Sequence, residues 1–258
     1  MTVSTITRLG RALPAVLAIS GLLLAWEGYA TLSGISATAL PPPSRVVMQA
    51  YEHRAVLWAN TLPTLQATLF GFAASLTAAF FFSVLIDFSM TLRRALLPVF
   101  IISQTLPMIA IAPLVVLWFG FGLGPKIGLV ALVTFFPMLV ALLQGYRSTE
   151  PELEELLSSM GASRLRVFVT ARLPTALPFF FAGLRVSITY AVVAAIFSEY
   201  AGAARGLGIY MLNAKNNFRP DLVLAAVLVS ASLTLLLFGL TVLIERKALP
   251  WTRLGDKT

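Results

Sequence analysis

One stretch of this sequence, EELLSSMGASRLRVFVTARLP (Glu154–Pro174), mixes glutamates, arginines and serines with a central glycine, whereas most other segments of that length are strongly apolar. Carboxylate and guanidinium groups can form strong ion pairs, and the leucines between them can contact another surface. No nucleophile with a paired base accompanies these side chains. The stretch therefore indicates recognition of a partner surface rather than covalent chemistry.

The remaining residues also argue against an enzyme. The chain has no cysteine and a single histidine, His53, which leaves too few soft ligands for zinc or haem. The dipeptide Gly-Lys is absent, so there is no phosphate-binding loop for ATP. We expect no metal, no cofactor and no catalytic residue.

The composition predicts an all-α membrane protein. Of 258 residues, 58% are hydrophobic and only 12% are charged, whereas soluble domains have about 25% charged residues. Runs of roughly 20 apolar residues, the length that crosses the hydrocarbon layer as a helix, recur along the chain. The six predicted spans are 12–32, 60–86, 96–119, 126–146, 176–198 and 221–244.

The net charge of +8 describes membrane topology rather than binding to nucleic acid, because basic residues favour cytoplasmic loops. The first apolar run also resembles a cleavable signal peptide, but Trp26 and Glu27 make a poor cleavage region, which favours a retained helix. With both termini inside, twelve basic residues face the cytoplasm and six the outside. The twelve are Arg8, Arg11, Arg93, Arg94, Arg147, Arg164, Arg166, Arg172, Arg246, Lys247, Arg253 and Lys257.

Between the first two spans, prolines at 41–43 stop any helix. Ser44 is positioned to cap a new one. Apolar residues then recur at helical spacing up to Trp58, which predicts a short helix on the outer membrane surface. Four further prolines, at positions 107, 113, 137 and 178, fall inside or at the edges of spans, where they free backbone carbonyls.

The polar stretch itself predicts a helical hairpin. Thr149 and Glu152 have the spacing of a capping box, and Gly161 is placed to end the helix in a left-handed cap. Ser163 can cap a second helix that leads towards Pro174. The first helix carries an apolar stripe, which either binds another protein or packs on the membrane and neighbouring loops. The stripe consists of Leu153, Leu156, Leu157 and Met160.

Two charged residues at span positions are candidates for a translocation path or gate. Arg185 is the deepest charge and either lines the path or extends its side chain to the inner headgroups. Glu199 ends the fifth span on the outer side, before a glycine-rich segment, where it is a gate or receptor contact or part of an ordinary loop. A secondary transporter or channel is the rival function, but such proteins usually carry more ionisable groups within their spans.

The hairpin resembles the signature loop of permease subunits of bacterial ATP-binding-cassette (ABC) importers, which reads E-A-A, three residues, G, nine residues, I, one residue, L-P. Glu155, Gly161, Leu173 and Pro174 match this pattern. Leucines replace the two alanines, and Ala171 replaces isoleucine. The segment that contains Glu199, Gly202, Gly206, Leu207 and Gly208 is similar to the group of permeases for nitrate, sulfonates, taurine and thiamine precursors.

The resemblance implies a type I ABC importer permease with six transmembrane helices and a cytoplasmic coupling-helix hairpin. Residues 1–59 would hold the first helix and the periplasmic surface helix, 60–246 the permease core and 247–258 a cytoplasmic tail. The partners would be a cytoplasmic ATP-binding subunit dimer, a periplasmic substrate-binding protein, a second copy of the chain and membrane lipid, in the bacterial inner membrane. The docking residues would be Glu152, Glu155, Leu156, Leu157, Met160, Gly161, Ala162, Leu173 and Pro174.

Overall fold

The computed structural model describes the backbone of residues 3–253 and the side chains of residues 13–251, and this part of the chain is helical without a β-strand. Arg8, Arg11, Arg253 and Lys257, which the topology prediction uses, lie outside the described side chains. The helices are α1 (Val3–Leu32), α2 (Pro43–Glu52), α3 (Arg54–Phe88), α4 (Met90–Thr105), α5 (Met108–Phe119), α6 (Leu123–Arg147), α7 (Pro151–Ser159), α8 (Arg164–Val167), α9 (Leu173–Tyr200), α10 (Leu207–Asn216) and α11 (Pro220–Ala248). Within the described residues, five of them are long and apolar enough to cross a membrane, or six if α4 and α5 form one bent span.

The predicted span at 96–119 is broken in the middle. Helices α4 and α5 meet at an angle of 101°. Leu106 has an extended conformation (ψ 122°) because the ring of Pro107 disfavours helical geometry in the residue before it. Pro113, Pro137 and Pro178 lie inside α5, α6 and α9 without ending them.

Two predicted helix caps are wrong for the same reason. In α7 the N-cap is Glu150 rather than Thr149, and the buried Thr149 hydroxyl has no hydrogen-bond partner. In α2 the N-cap is Pro42 rather than Ser44. Each helix has proline as its first residue, and proline fixes the preceding residue in the extended conformation of an N-cap.

The chain divides into two compact units, and the first contains the described part of 1–58 together with Tyr210–Val229. The Glu27 carboxylate accepts hydrogen bonds from the Ser44 amide and hydroxyl (2.9 and 2.7 Å) and so satisfies the start of α2. Buried Asp221 pairs with Arg45 (3.3 Å) and Arg219 (3.0 Å). The hydrogen bond that Arg219 donates to the Asp221 carboxylate raises the pKa of the Arg219 guanidinium.

The second unit contains Ala59–Ile209 and the described part of 230–258, and its core lies between α6 and α9. Close approach of the two helices depends on small residues. A Cβ at Gly145 would lie 2.6 Å from the Ala176 Cα, and one at Gly183 would lie 2.5 Å from the Ala141 Cβ. Such contacts are typical of helices in membranes, where dispersion contacts rather than exclusion of water hold helices together.

Candidate functional site

The predicted hairpin is present in the second unit as α7, a tight turn and α8. Gly161 has a positive φ of +83°. Its amide donates to the Ser158 carbonyl, and the Ala162 amide donates to the Leu157 carbonyl, both at 3.0 Å. This is the glycine-ended Schellman turn, and it confirms the predicted left-handed cap. The Ser163 hydroxyl accepts from the Arg166 amide (3.4 Å), so the predicted cap of the second helix is also present.

The hairpin exposes apolar side chains. No side chain of α7 is buried, and Leu156, Met160 and Leu165 are 57%, 76% and 63% exposed. Exposed leucine and methionine on one short element form a surface that another protein can cover. Of the other predicted docking residues, Glu152, Glu155, Gly161 and Pro174 are exposed, and Leu157, Ala162 and Leu173 are half-buried.

Arg172 joins the hairpin to the long helices. Its Nε and Nη2 donate to the two carboxylate oxygens of Glu154 in α7 (2.7 and 2.6 Å). Its Nη1 donates to both oxygens of Asp87 in α3 (3.1 and 2.9 Å). The planar guanidinium suits such two-pronged contacts. We call Asp87, Glu154 and Arg172 the inner clamp.

Between α8 and α9 the chain forms a π-helical turn, Phe168–Arg172, which ends at the clamp residue. The Leu173 amide bonds back to the Phe168 carbonyl. Pro174 follows in the first turn of α9, where its missing amide hydrogen is tolerated. Turns of this kind inside α-helices frequently occur at functional sites.

Glu199 lies at the opposite end of α9 and is completely buried. Its Oε1 accepts from the Thr64 hydroxyl in α3 (2.8 Å), and its Oε2 accepts from the Gly208 amide in α10 (2.7 Å). The Leu207 amide in turn donates to the Thr64 hydroxyl (2.9 Å). The carboxyl group therefore fixes the segment after α9 to α3.

The backbone of that segment also depends on glycine. Gly206 has a φ of +142°, and a Cβ there would overlap the carboxyl group of Glu199. The Gly206 amide donates to the Asn60 side chain in α3 (3.0 Å). Asn60, Thr64, Glu199 and Gly206 together form what we call the outer latch.

Arg185 has a partner in α11. Its Nε lies 3.4 Å from Glu245 Oε2, and the two side chains are 39% and 20% exposed. The pair offsets the charge that Arg185 introduces into a span.

Sequence reasoning missed the inner clamp and the partners of Glu199. Glu154 and Arg172 are 18 residues apart, and Asp87 and Arg172 are 85 apart. Arg172 lies on a different element from Glu154 and from Asp87, so no local pattern pointed to these pairs. Neither Thr64 in α3 nor the glycines near position 206 indicate from the sequence that they surround a buried carboxyl group.

Comparison with known proteins agrees with this architecture. The family model described as "Binding-protein-dependent transport system inner membrane component" matches residues 71–249. The chain is 34% identical over 244 residues to the formylaminopyrimidine transport permease protein ThiX of Halalkalibacterium halodurans, covering 94% of this chain and 97% of that one. It is 36% identical over 232 residues to the riboflavin transport system permease protein RibX of Chloroflexus aurantiacus, covering 89% and 87%.

The fold is also found among solved structures. A crystal structure of an amino acid ABC transporter with histidines superposes with a TM-score of 0.62 at 15% identity, covering 76% of this chain and 96% of that chain. At this identity the match supports the fold alone. The family match and the similar permeases show that the chain belongs to the binding-protein-dependent transport system inner membrane components. It is a multi-pass permease subunit of an ABC importer, and the solved structure agrees with its fold.

Proposed function

We propose that the α7–α8 hairpin is the site where a separate cytoplasmic ATP-binding subunit docks. The exposed side chains of Leu156 and Met160 support this proposal, because no other described part of the second unit covers them. Leu157 and the Schellman turn at Gly161 would shape the docking surface. Two exposed acidic residues of α7, Glu152 and Glu155, would form its polar edge.

The hairpin position implies an orientation in the membrane. We place α7 and both termini in the cytoplasm of a bacterium, with 60–246 as the permease core in the inner membrane. Two copies of the chain would bind two ATP-binding subunits, and a substrate-binding protein would deliver cargo from the periplasm. A path along a two-fold interface suits a subunit with few spans. Arg185 and Glu199 would hold α9 beside that path, through Glu245 and the outer latch.

The cargo that we propose is a small nitrogen heteroaromatic molecule of the pyrimidine type. The names of two permeases that match nearly the whole chain mention formylaminopyrimidine and riboflavin. Both compounds contain a pyrimidine ring. Sulfonates, taurine and nitrate are the alternative cargoes. Binding of each compound to the partner substrate-binding protein, measured by calorimetry, distinguishes them, and tight binding of taurine without binding of a pyrimidine would contradict the proposal.

Transport in vesicles tests the function itself. Permease and ATP-binding subunit are reconstituted together, with the substrate-binding protein and radiolabelled formylaminopyrimidine outside. We expect uptake only when ATP is present inside the vesicles, on the side of the ATP-binding subunit, because the permease has no phosphate-binding loop of its own. Mutation of the phosphate-binding lysine in the ATP-binding subunit should abolish uptake.

The matched control omits the ATP-binding subunit and applies a proton or sodium gradient. Uptake under that gradient by the permease alone would contradict an ATP-driven importer and support a secondary transporter. The same vesicles without the permease give the leak rate, which must be subtracted in both arms.

A further inference from the structure

We propose that the inner clamp transmits movement of the docked helix α7 to α3 and α9, with Arg172 as the positioning residue. The inference rests on the proposed docking of an ATP-binding subunit at α7. It concerns a later step, since it addresses what happens after that subunit has bound.

Apart from the inner clamp, helix α7 has few contacts with the long helices. None of its side chains is fully buried and Leu157 is half-buried, so packing fixes it only weakly to the helices of the second unit. Its backbone is continuous with α6 through residues 148–150 and with α8 through residues 160–163, and neither connection is a rigid helix. The two hydrogen bonds from Arg172 to the Glu154 carboxylate (2.7 and 2.6 Å) are the polar contact that joins the middle of α7 to the long helices.

The space around the clamp is partly open. Two cavities, of about 350 and about 390 Å³, lie beside it. Both are lined by Asp87, Glu154 and Arg172, and the rest of their linings differ. The ionic contacts therefore lie beside open space, although Phe88, Val167 and Phe168 line part of the first cavity, and Arg172 is the polar link through which α7 can push on α3 and α9.

The geometry gives Arg172 two simultaneous tasks. It belongs to the turn that enters α9, and it binds Asp87 in α3, near that helix's end at Phe88. A displacement of α7 would move both helices together. Helix α9 has 28 residues, about 42 Å at 1.5 Å per residue, so the movement would reach the outer latch at its other end.

The test follows the far end of α9 without any cargo. The chain has no native cysteine, so Ala204→Cys, exposed just beyond α9, introduces a single thiol. Its maleimide labelling rate is measured in the complete complex with the ATP-binding subunit, without nucleotide and after trapping with ADP and vanadate. We expect the rate to change by about fivefold or more, as coupled sites commonly do. Arg172→Met should abolish that change while the subunit stays bound.

Controls separate transmission from folding and from docking. Arg94→Met, an exposed arginine at the start of α4, should keep the nucleotide-dependent change. Glu154→Gln and Asp87→Asn should each lose most of it, and the double variant should lose no more, because both act through Arg172. If Arg172→Met cannot be purified, these two variants carry the test. An unchanged response in the clamp variants, or no response in the parent, would overturn the proposal. Loss of subunit binding in the clamp variants would also overturn it, whereas failure of the parent to bind would overturn the docking site instead.

Discussion

Replacing Gly161 with valine is expected to weaken binding of the ATP-binding subunit by roughly 5- to 30-fold, with membrane insertion intact. At φ +83° the residue is in the left-handed region, which costs an L-residue about 1–2 kcal/mol. No heavy atom lies within 4 Å of a Cβ built at this position, so the effect would come from backbone strain rather than from a clash. Relief of the strain would break the hydrogen bonds of the Schellman turn and reorient the docking surface around Met160.

The matched control is Gly161→Asn, because asparagine adopts the left-handed conformation more readily than other side chains do. It should bind the subunit nearly as well as the parent. The measurement is a titration of purified permease in detergent with the ATP-binding subunit. Equal binding by the valine variant would show that the turn is not needed for docking.

Gly206→Ala is expected to destabilise the permease by about 2–6 kcal/mol. The new Cβ would overlap the carboxyl group of Glu199 and drive it away from the Gly208 amide. Loss of a buried acceptor costs about 1–3 kcal/mol, and forced repacking costs a similar amount. The readout is the midpoint of thermal unfolding in detergent, together with the yield of monodisperse protein.

A second variant separates this clash from a general loss of fold. The double variant Glu199→Ala, Gly206→Ala lacks the side chain that the new Cβ would overlap. Its loss of stability should therefore be smaller than the sum of the losses in the two single variants. Glu199→Gln should be mild, since an amide oxygen can still accept from Gly208. Strictly additive effects would contradict the contact in the outer latch.

The apolar runs were enough to predict the class and most of the helices. Spans at 60–86, 126–146, 176–198 and 221–244 all lie within described helices, because long apolar segments have no other stable form in hydrocarbon. The hairpin cap at Gly161 was also predictable, since glycine has a clear role after a short helix. The break at Leu106 was not predicted, although Pro107 marked its place, because a proline inside an apolar run either bends a helix or ends it.

The helix starts and the charged contacts show where sequence reasoning reaches its limit. At α2 and α7 the sequence contains a residue that could cap the helix with its side chain, but the proline beside it decides where the helix begins. The inner clamp depends on where the ends of α3, α7 and α9 meet, which is a property of tertiary packing. Burial of Glu199 likewise follows from the approach of Thr64 and Gly208, neither of which is distinctive alone.

Labelling of a single cysteine at Met160 tests the central claim most directly. Met160→Cys lies on the exposed face of the hairpin, and no native cysteine competes with it. In inside-out vesicles a membrane-impermeant maleimide should label it in the permease alone and fail to label it once the ATP-binding subunit is bound. Labelling from the outer face of right-side-out vesicles, or equal labelling with and without the subunit, would contradict docking at α7.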